Sequence, residues 1–154
     1  MLIKLRTLFL TVVLAALPLG LASAAAPTKD EVVAQVKKAV EFYKANGKEK
    51  ALAELNKKDG EFAKGEDYVD VHDLTGTCLA HPITPGIVGL NRIDQADPSG
   101  KKFIKEMTDA AKSKPNGWIN YERKNPVDGK IESKTAYWQV QDGLIFKAGT
   151  YTGG

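Results

Sequence analysis

Three strand-like stretches at the C-terminal end constrain the fold more than any other feature of this chain. Trp118 to Arg123, Ile131 to Val140 and Leu144 to Tyr151 are rich in β-branched and aromatic residues. Asn125-Pro126 with Asp128-Gly129 separates the first pair, and Asp142-Gly143 separates the second. A glycine after an aspartate supplies the positive φ that tight hairpin turns demand. Strands joined by so few residues pair antiparallel, because a parallel crossover needs a dozen or more.

Upstream the period is helical. Thr28-Lys29-Asp30-Glu31 fits a capping box. Val33, Val36, Val40 and Tyr43 then recur at three- and four-residue spacing, as on one face of a four-turn helix. Asn46-Gly47 ends it, and a second short helix is expected over Lys48 to Asn56, burying Leu52 and Leu55. Tyr68 to Leu74 and Thr77 to Pro82 read as two strands about a Thr75-Gly76 turn. Residues 82–100 hold three prolines and three glycines and form a long loop, a kind of segment that often carries function. Ser99 or Asp97 is placed to cap a helix over about Lys101 to Ser113. The expected order is α-α-β-β-α-β-β-β. The expected fold class is α+β, with a five-stranded antiparallel sheet and the long N-terminal helix packed on it.

Residues 1–24 are expected to be a signal peptide, followed by one domain over 25–154. Lys4 and Arg6 form a positive start, Leu8 to Leu21 is an uncharged apolar run, and Ala22-Ser23-Ala24 offers a cleavage site. The run is 14 residues, short of the roughly 20 that span a bilayer. Losing Lys4 and Arg6 lowers the formal net charge from +3 to +1, so no basic patch argues for nucleic acid. The expected location is periplasmic or secreted, with no membrane span after cleavage. Two histidines and one cysteine among 154 residues argue against His-rich and thiolate metal sites, and no P-loop or dinucleotide fingerprint appears. No cofactor is expected. In an oxidising compartment Cys78 lacks an internal partner and reads as a small buried strand residue.

Several motifs carry a family resemblance in the right order. Gly60-Glu61-Phe62, Tyr68-Val69-Asp70-Val71, Gly76-Thr77-Cys78-Leu79-Ala80-His81-Pro82 and Gly89-Leu90-Asn91 come first. Gly117-Trp118-Ile119-Asn120-Tyr121, Asn125-Pro126-Val127, Lys134-Thr135-Ala136-Tyr137 and Ala148-Gly149-Thr150-Tyr151 follow. Over about residues 30–152 the chain resembles the single Cache domain, type 2. The resemblance implies a PAS-like antiparallel sheet and an extracytoplasmic sensor module that binds a small organic ligand, often a short-chain carboxylate. Such domains mostly sit between two membrane helices. Here the sequence stops at Gly154, so a signal is expected to pass through a separate membrane sensor protein. A homodimer through the N-terminal helix is a further expectation.

A carboxylate pocket needs positive or hydroxyl donors on an apolar, aromatic wall. The candidate donors are His81, Lys134, Tyr121 and Tyr137, and the candidate walls are Trp118 and Phe62. The resemblance raises His81, Trp118, Tyr121, Lys134 and Tyr137 above ordinary core or surface readings. Lys134 and Tyr137 are three apart, so a regular strand sends them to opposite faces unless a bulge intervenes. Gly149 shares a face with Tyr151, where it either opens space for a ligand or marks a bend. An enzyme is not expected: Cys78 and His81, also three apart, do not form a nucleophile and base on one face. The competing reading is a protein-binding adaptor of a signalling or electron-transfer system, with no small ligand, that docks a partner strand on an open sheet edge.

Overall fold

A computed structural model describes residues 25–152. The expected signal peptide therefore lies outside the described residues. Helix α1 (Lys29–Asn46) begins at the capping box. The Glu31 amide donates to Thr28 Oγ1 at 3.3 Å, and the Thr28 amide donates to Glu31 Oε2 at 2.7 Å. Gly47, at φ +80°, ends the helix with its amide bonded to the Tyr43 carbonyl. Helix α2 (Lys48–Leu55) buries Ala51 and Leu55, whereas the expected Leu52 is only half-buried.

The sheet runs β4-β3-β7-β6-β5, all antiparallel, with β3 (Asp70–Asp73), β4 (Cys78–Ala80), β5 (Asn116–Lys124), β6 (Ile131–Gln141) and β7 (Leu144–Thr152). One stretch was expected as a single strand and divides instead. Asp67–Tyr68 (β2) pairs with Ala63–Lys64 (β1) in a separate small hairpin, and the main-sheet strand starts only at Asp70. Cys78 is buried in β4, and burial pushes its thiol up to about 12.

Each face of the sheet has its own cover. On one side Val32, Val36, Ala39 and Val40 of α1 pack with Val71, Tyr137, Leu144, Phe146 and Ala148. On the other, Phe103, Ile104, Met107 and Ala111 of α3 (Phe103–Ala111) pack with Ile119, Tyr121, Ala136, Trp138 and Ile145. The central strand β7 is buried at every position from Leu144 to Tyr151 because both faces are covered. Neither Ser99 nor Asp97 caps α3. Its N-cap is Lys102, with no side-chain bond, because the Asp97 carboxylate accepts instead from the amides of Ser99, Lys101 and Glu122. Asp97 thus ties the long loop to β5. Gly149 is a close approach of two strands: a Cβ there would meet the Thr135 carbonyl oxygen at 2.7 Å and Ala136 Cα at 2.9 Å. Among the described residues no helix is long and apolar enough to cross a membrane.

Candidate functional site

Strand alternation divides the six candidate residues between the two faces. The β6 register with β5 and β7 runs unbroken through Lys134 and Tyr137, with no bulge. Tyr137 therefore joins the α1-side core. Phe62 lies in the same core, edge-on to Phe42 at 5.4 Å. Trp118 sits on the α1 side as well, 43% exposed, tilted against Tyr137 at 5.4 Å with the Lys29 ammonium 5.6 Å from its ring. His81, Tyr121 and Lys134 belong to the other face, the side of α3 and the long loop. The six do not line one pocket.

That second face holds an unusual concentration of buried charge. Tyr121, Lys134 and Tyr151 are in register across β5, β6 and β7. The Lys134 side chain is 1% exposed, and its ammonium lies 3.9 Å from the Tyr68 ring centre and 4.4 Å from that of Tyr151. Aromatic faces attract a cation through their quadrupole, which offsets part of its desolvation. With Arg123 near as well, Lys134 draws the buried Tyr68 phenol below its ordinary value, although burial alone would raise it.

One strand further in, the Lys147 ammonium donates to Asp70 Oδ1 and to the Tyr121 hydroxyl oxygen, both at 2.8 Å. Phe103 stacks flat on the Tyr121 ring at 3.9 Å. The Tyr121 oxygen accepts there, so its own proton remains available to donate. Burial alone would raise the Asp70 carboxyl, but Lys147 and then His72 outweigh it and hold it well below the usual carboxylate range. Asp70 raises Lys147 against the opposing effect of burial. His72 Nδ1 lies 3.2 Å from Asp70 Oδ2, and burial depresses the His72 pKa.

His81 follows directly on β4, where its amide donates to Asn56 Oδ1 at 3.0 Å. Its Nδ1 accepts from the Thr84 amide at 3.0 Å, and its Nε2 faces Arg123 Nη2 at 3.0 Å. Burial pushes its pKa down to about 3, against the pull of Asp70 and with the help of Arg123. A neutral imidazole has one acceptor nitrogen. Two donors, an amide and a guanidinium, approach this one. With the Thr84 amide taking the acceptor, an imidazole N–H is left pointing at a guanidinium that only donates.

Arg123 also donates to Thr84 Oγ1 at 3.2 Å and lines a cleft of about 680 Å³ between the long loop and the edge strand. Tyr68, Ile83, Ile87, Arg92, Asp97 and Phe103 complete much of its wall. Arg92 is buried, and its Nε donates to Gln95 Oε1. Among the described residues no carboxylate forms an ion pair with Arg92, Arg123 or Lys134. A larger cleft of about 900 Å³ lies between α1 and the β5–β6 turn. Its wall carries Glu31, Glu66, Asp67, Asp128 and Glu132 against Lys38 and Lys64, so it disfavours an anion.

Sequence reasoning missed Arg92, Arg123, Tyr68, Asp70 and Lys147. Two signals were present. Arg123 is two residues from Tyr121 and so shares its face. Lys147 interrupts the most apolar strand of the chain, where only a paired lysine is tolerated.

A family model described as Single Cache domain 2 matches residues 28–142. A solved structure described as the structural basis for carboxylic acid recognition by a Cache chemosensory domain is similar, with 25% identity and a TM-score of 0.67, over 80% of this chain and 92% of that one. A methyl-accepting chemotaxis protein from Vibrio parahaemolyticus RIMD 2210633 is 24% identical with a TM-score of 0.68, over 80% and 87% of the two chains. A periplasmic sensor domain of a chemotaxis protein shares the fold at 19% identity and a TM-score of 0.63, over 80% and 90%. No curated protein matches the chain.

Proposed function

The chain belongs to the single Cache domain 2 family of extracytoplasmic sensor modules, and we propose that it binds a short-chain carboxylate in the cleft between the long loop and β5. The observation that carries this reading is the His81 ring: its one neutral acceptor is approached by two donors, the Thr84 amide and Arg123, and in the Nε2–H tautomer two donors meet at Arg123 without an acceptor. A carboxylate oxygen bound at Arg123 gives that guanidinium an acceptor. It also supplies a counter-charge to Arg123, which has no carboxylate ion pair among the described residues. Charge-assisted bonds of this kind contribute about 1.5–3 kcal/mol each. The similar Cache chemosensory domain described for carboxylic acid recognition supports the ligand class.

In this proposal Arg123 holds the anion from the cleft wall; His81, Lys134 and Tyr121 are buried and do not line the cleft, and Lys134 contributes positive potential only. Phe103 and Tyr68 wall the site. Trp118, Tyr137 and Phe62 have no part in it, because they lie on the α1 side. The signal passes to a separate partner protein. A thermal-shift screen of acetate, propionate, butyrate, lactate and pyruvate tests the reading. A concentration-dependent rise in melting temperature with any of them supports it, and a flat response to all five removes it.

One observation favours a second reading, the protein-binding adaptor without a small ligand. Strand β5 has a sheet neighbour on one side only, and such an edge is a template for a partner strand. Under that reading the same screen is flat.

A further inference from the structure

The cleft carries two guanidiniums, and their anchoring differs in a way that narrows the ligand. Arg123 rises from β5 and is held at one end by Thr84 Oγ1 and the His81 ring. Arg92 comes from the long loop, its amide bonded to the Gly76 carbonyl and its Nε to Gln95 Oε1. Each guanidinium therefore has its own neutral partner and its own wall. Neither is free to swing onto a carboxylate bound at the other without giving up these bonds.

Two acids, Asp97 and Glu122, share the wall, but among the described residues neither forms an ion pair with Arg92 or Arg123. Asp97 is the nearest acid by position, yet Oδ1 accepts from Ser99 and Lys101, and Oδ2 accepts from the Glu122 amide at 2.8 Å. Glu122 also lines the cleft, but it forms no ion pair with either guanidinium among the described residues. Burial and then the like charge of Arg123 lower the Arg92 pKa, against the pull of Asp70. A single carboxylate pairs with one of the two and leaves the other guanidinium without an ion-pair partner.

We infer that the ligand carries two anionic groups, a short dicarboxylate with one end on Arg123 and the other on Arg92, both of which line the cleft. This rests on the carboxylate reading above and sharpens it. Phe103, Ile83 and Ile87 between the charged walls suit a short carbon chain, and about 680 Å³ accommodates one.

The test compares acids that differ in one charge only. Malonate, succinate and glutarate are each titrated calorimetrically at neutral pH against their own monoamides, with propionate alongside. The diacid of fitting length is expected to bind at least about tenfold tighter than its monoamide, which corresponds to about 1.4 kcal/mol. In Arg92→Gln that preference is expected to fall below threefold while monoamide affinity holds. Equal binding of every diacid and its monoamide overturns the inference, as does an Arg92→Gln variant that weakens both alike. If Arg92→Gln does not fold, the comparison in the parent protein decides alone. Binding of propionate without any diacid preference removes the second anionic group and leaves the carboxylate reading standing. No binding by any acid removes both.

Discussion

Lys147 illustrates how much of this molecule turns on single buried charges. It sits in the middle of the central strand, and Asp70 is its one ion-pair partner among the described residues. Removing one member of a buried pair leaves the other uncompensated, at a cost of about 3–5 kcal/mol. Asp70→Asn is therefore expected to lower unfolding free energy by that amount in urea titrations. The double variant Asp70→Leu, Lys147→Met should recover much of it, since no charge is then stranded. Equal loss in both proteins contradicts the pairing. His81 and His72 set the acid limit. Burial lowers both, His81 to about 3. Between pH 6.5 and that value the unfolded chain binds protons that the folded chain refuses, so stability rises with pH across the window. The melting temperature is expected to fall steadily from pH 7 to pH 4, and a flat profile contradicts the buried neutral rings. Neither network was legible in the sequence. Asp70 and His72 are neighbours on one face of β3, but Lys147 lies 77 residues from Asp70, and only the β3–β7 register brings it to them.

Elements were read more successfully, for a physical reason. Long amphipathic runs and Asp-Gly turns are local signals, and α1, β5, β6 and β7 follow from them within a residue or two. The two-residue strands β1 and β2 are too short to show any period. The missing Asp97 cap has a different cause: three amides compete for its carboxylate, and two of them come from the loop and the facing strand. The alternation rule on β6 set Lys134 against Tyr137 but left a bulge open, and the unbroken register then separated them. Val36 of α1 is fully buried against the sheet. Val36→Asp places an unpaired charge there and is expected to cost at least about 3 kcal/mol. A melt within a degree of the parent would contradict the packing of α1. Gly149→Ala should cost about 1–3 kcal/mol through overpacking, because its Cβ meets backbone that cannot yield. Unchanged denaturant midpoints would refute that close approach.

Across the whole molecule the sheet divides its duties. The α1 face is an apolar core that supplies stability. The opposite face gathers the buried Arg92, Lys134 and Lys147 and the half-buried Arg123 with two buried carboxylates, Asp70 and Asp97, the second tying down the long loop. The cations of this face that lack a carboxylate ion pair are what the carboxylate proposal explains. The most direct measurement is calorimetric titration of the tightest acid from the thermal-shift screen into the parent protein and into Arg123→Gln, with matched thermal melts to verify folding. The account expects one-site binding in the parent and a loss of about ten- to a hundredfold in the variant, as for one charge-assisted contact. Unchanged affinity in a folded Arg123→Gln protein would contradict it.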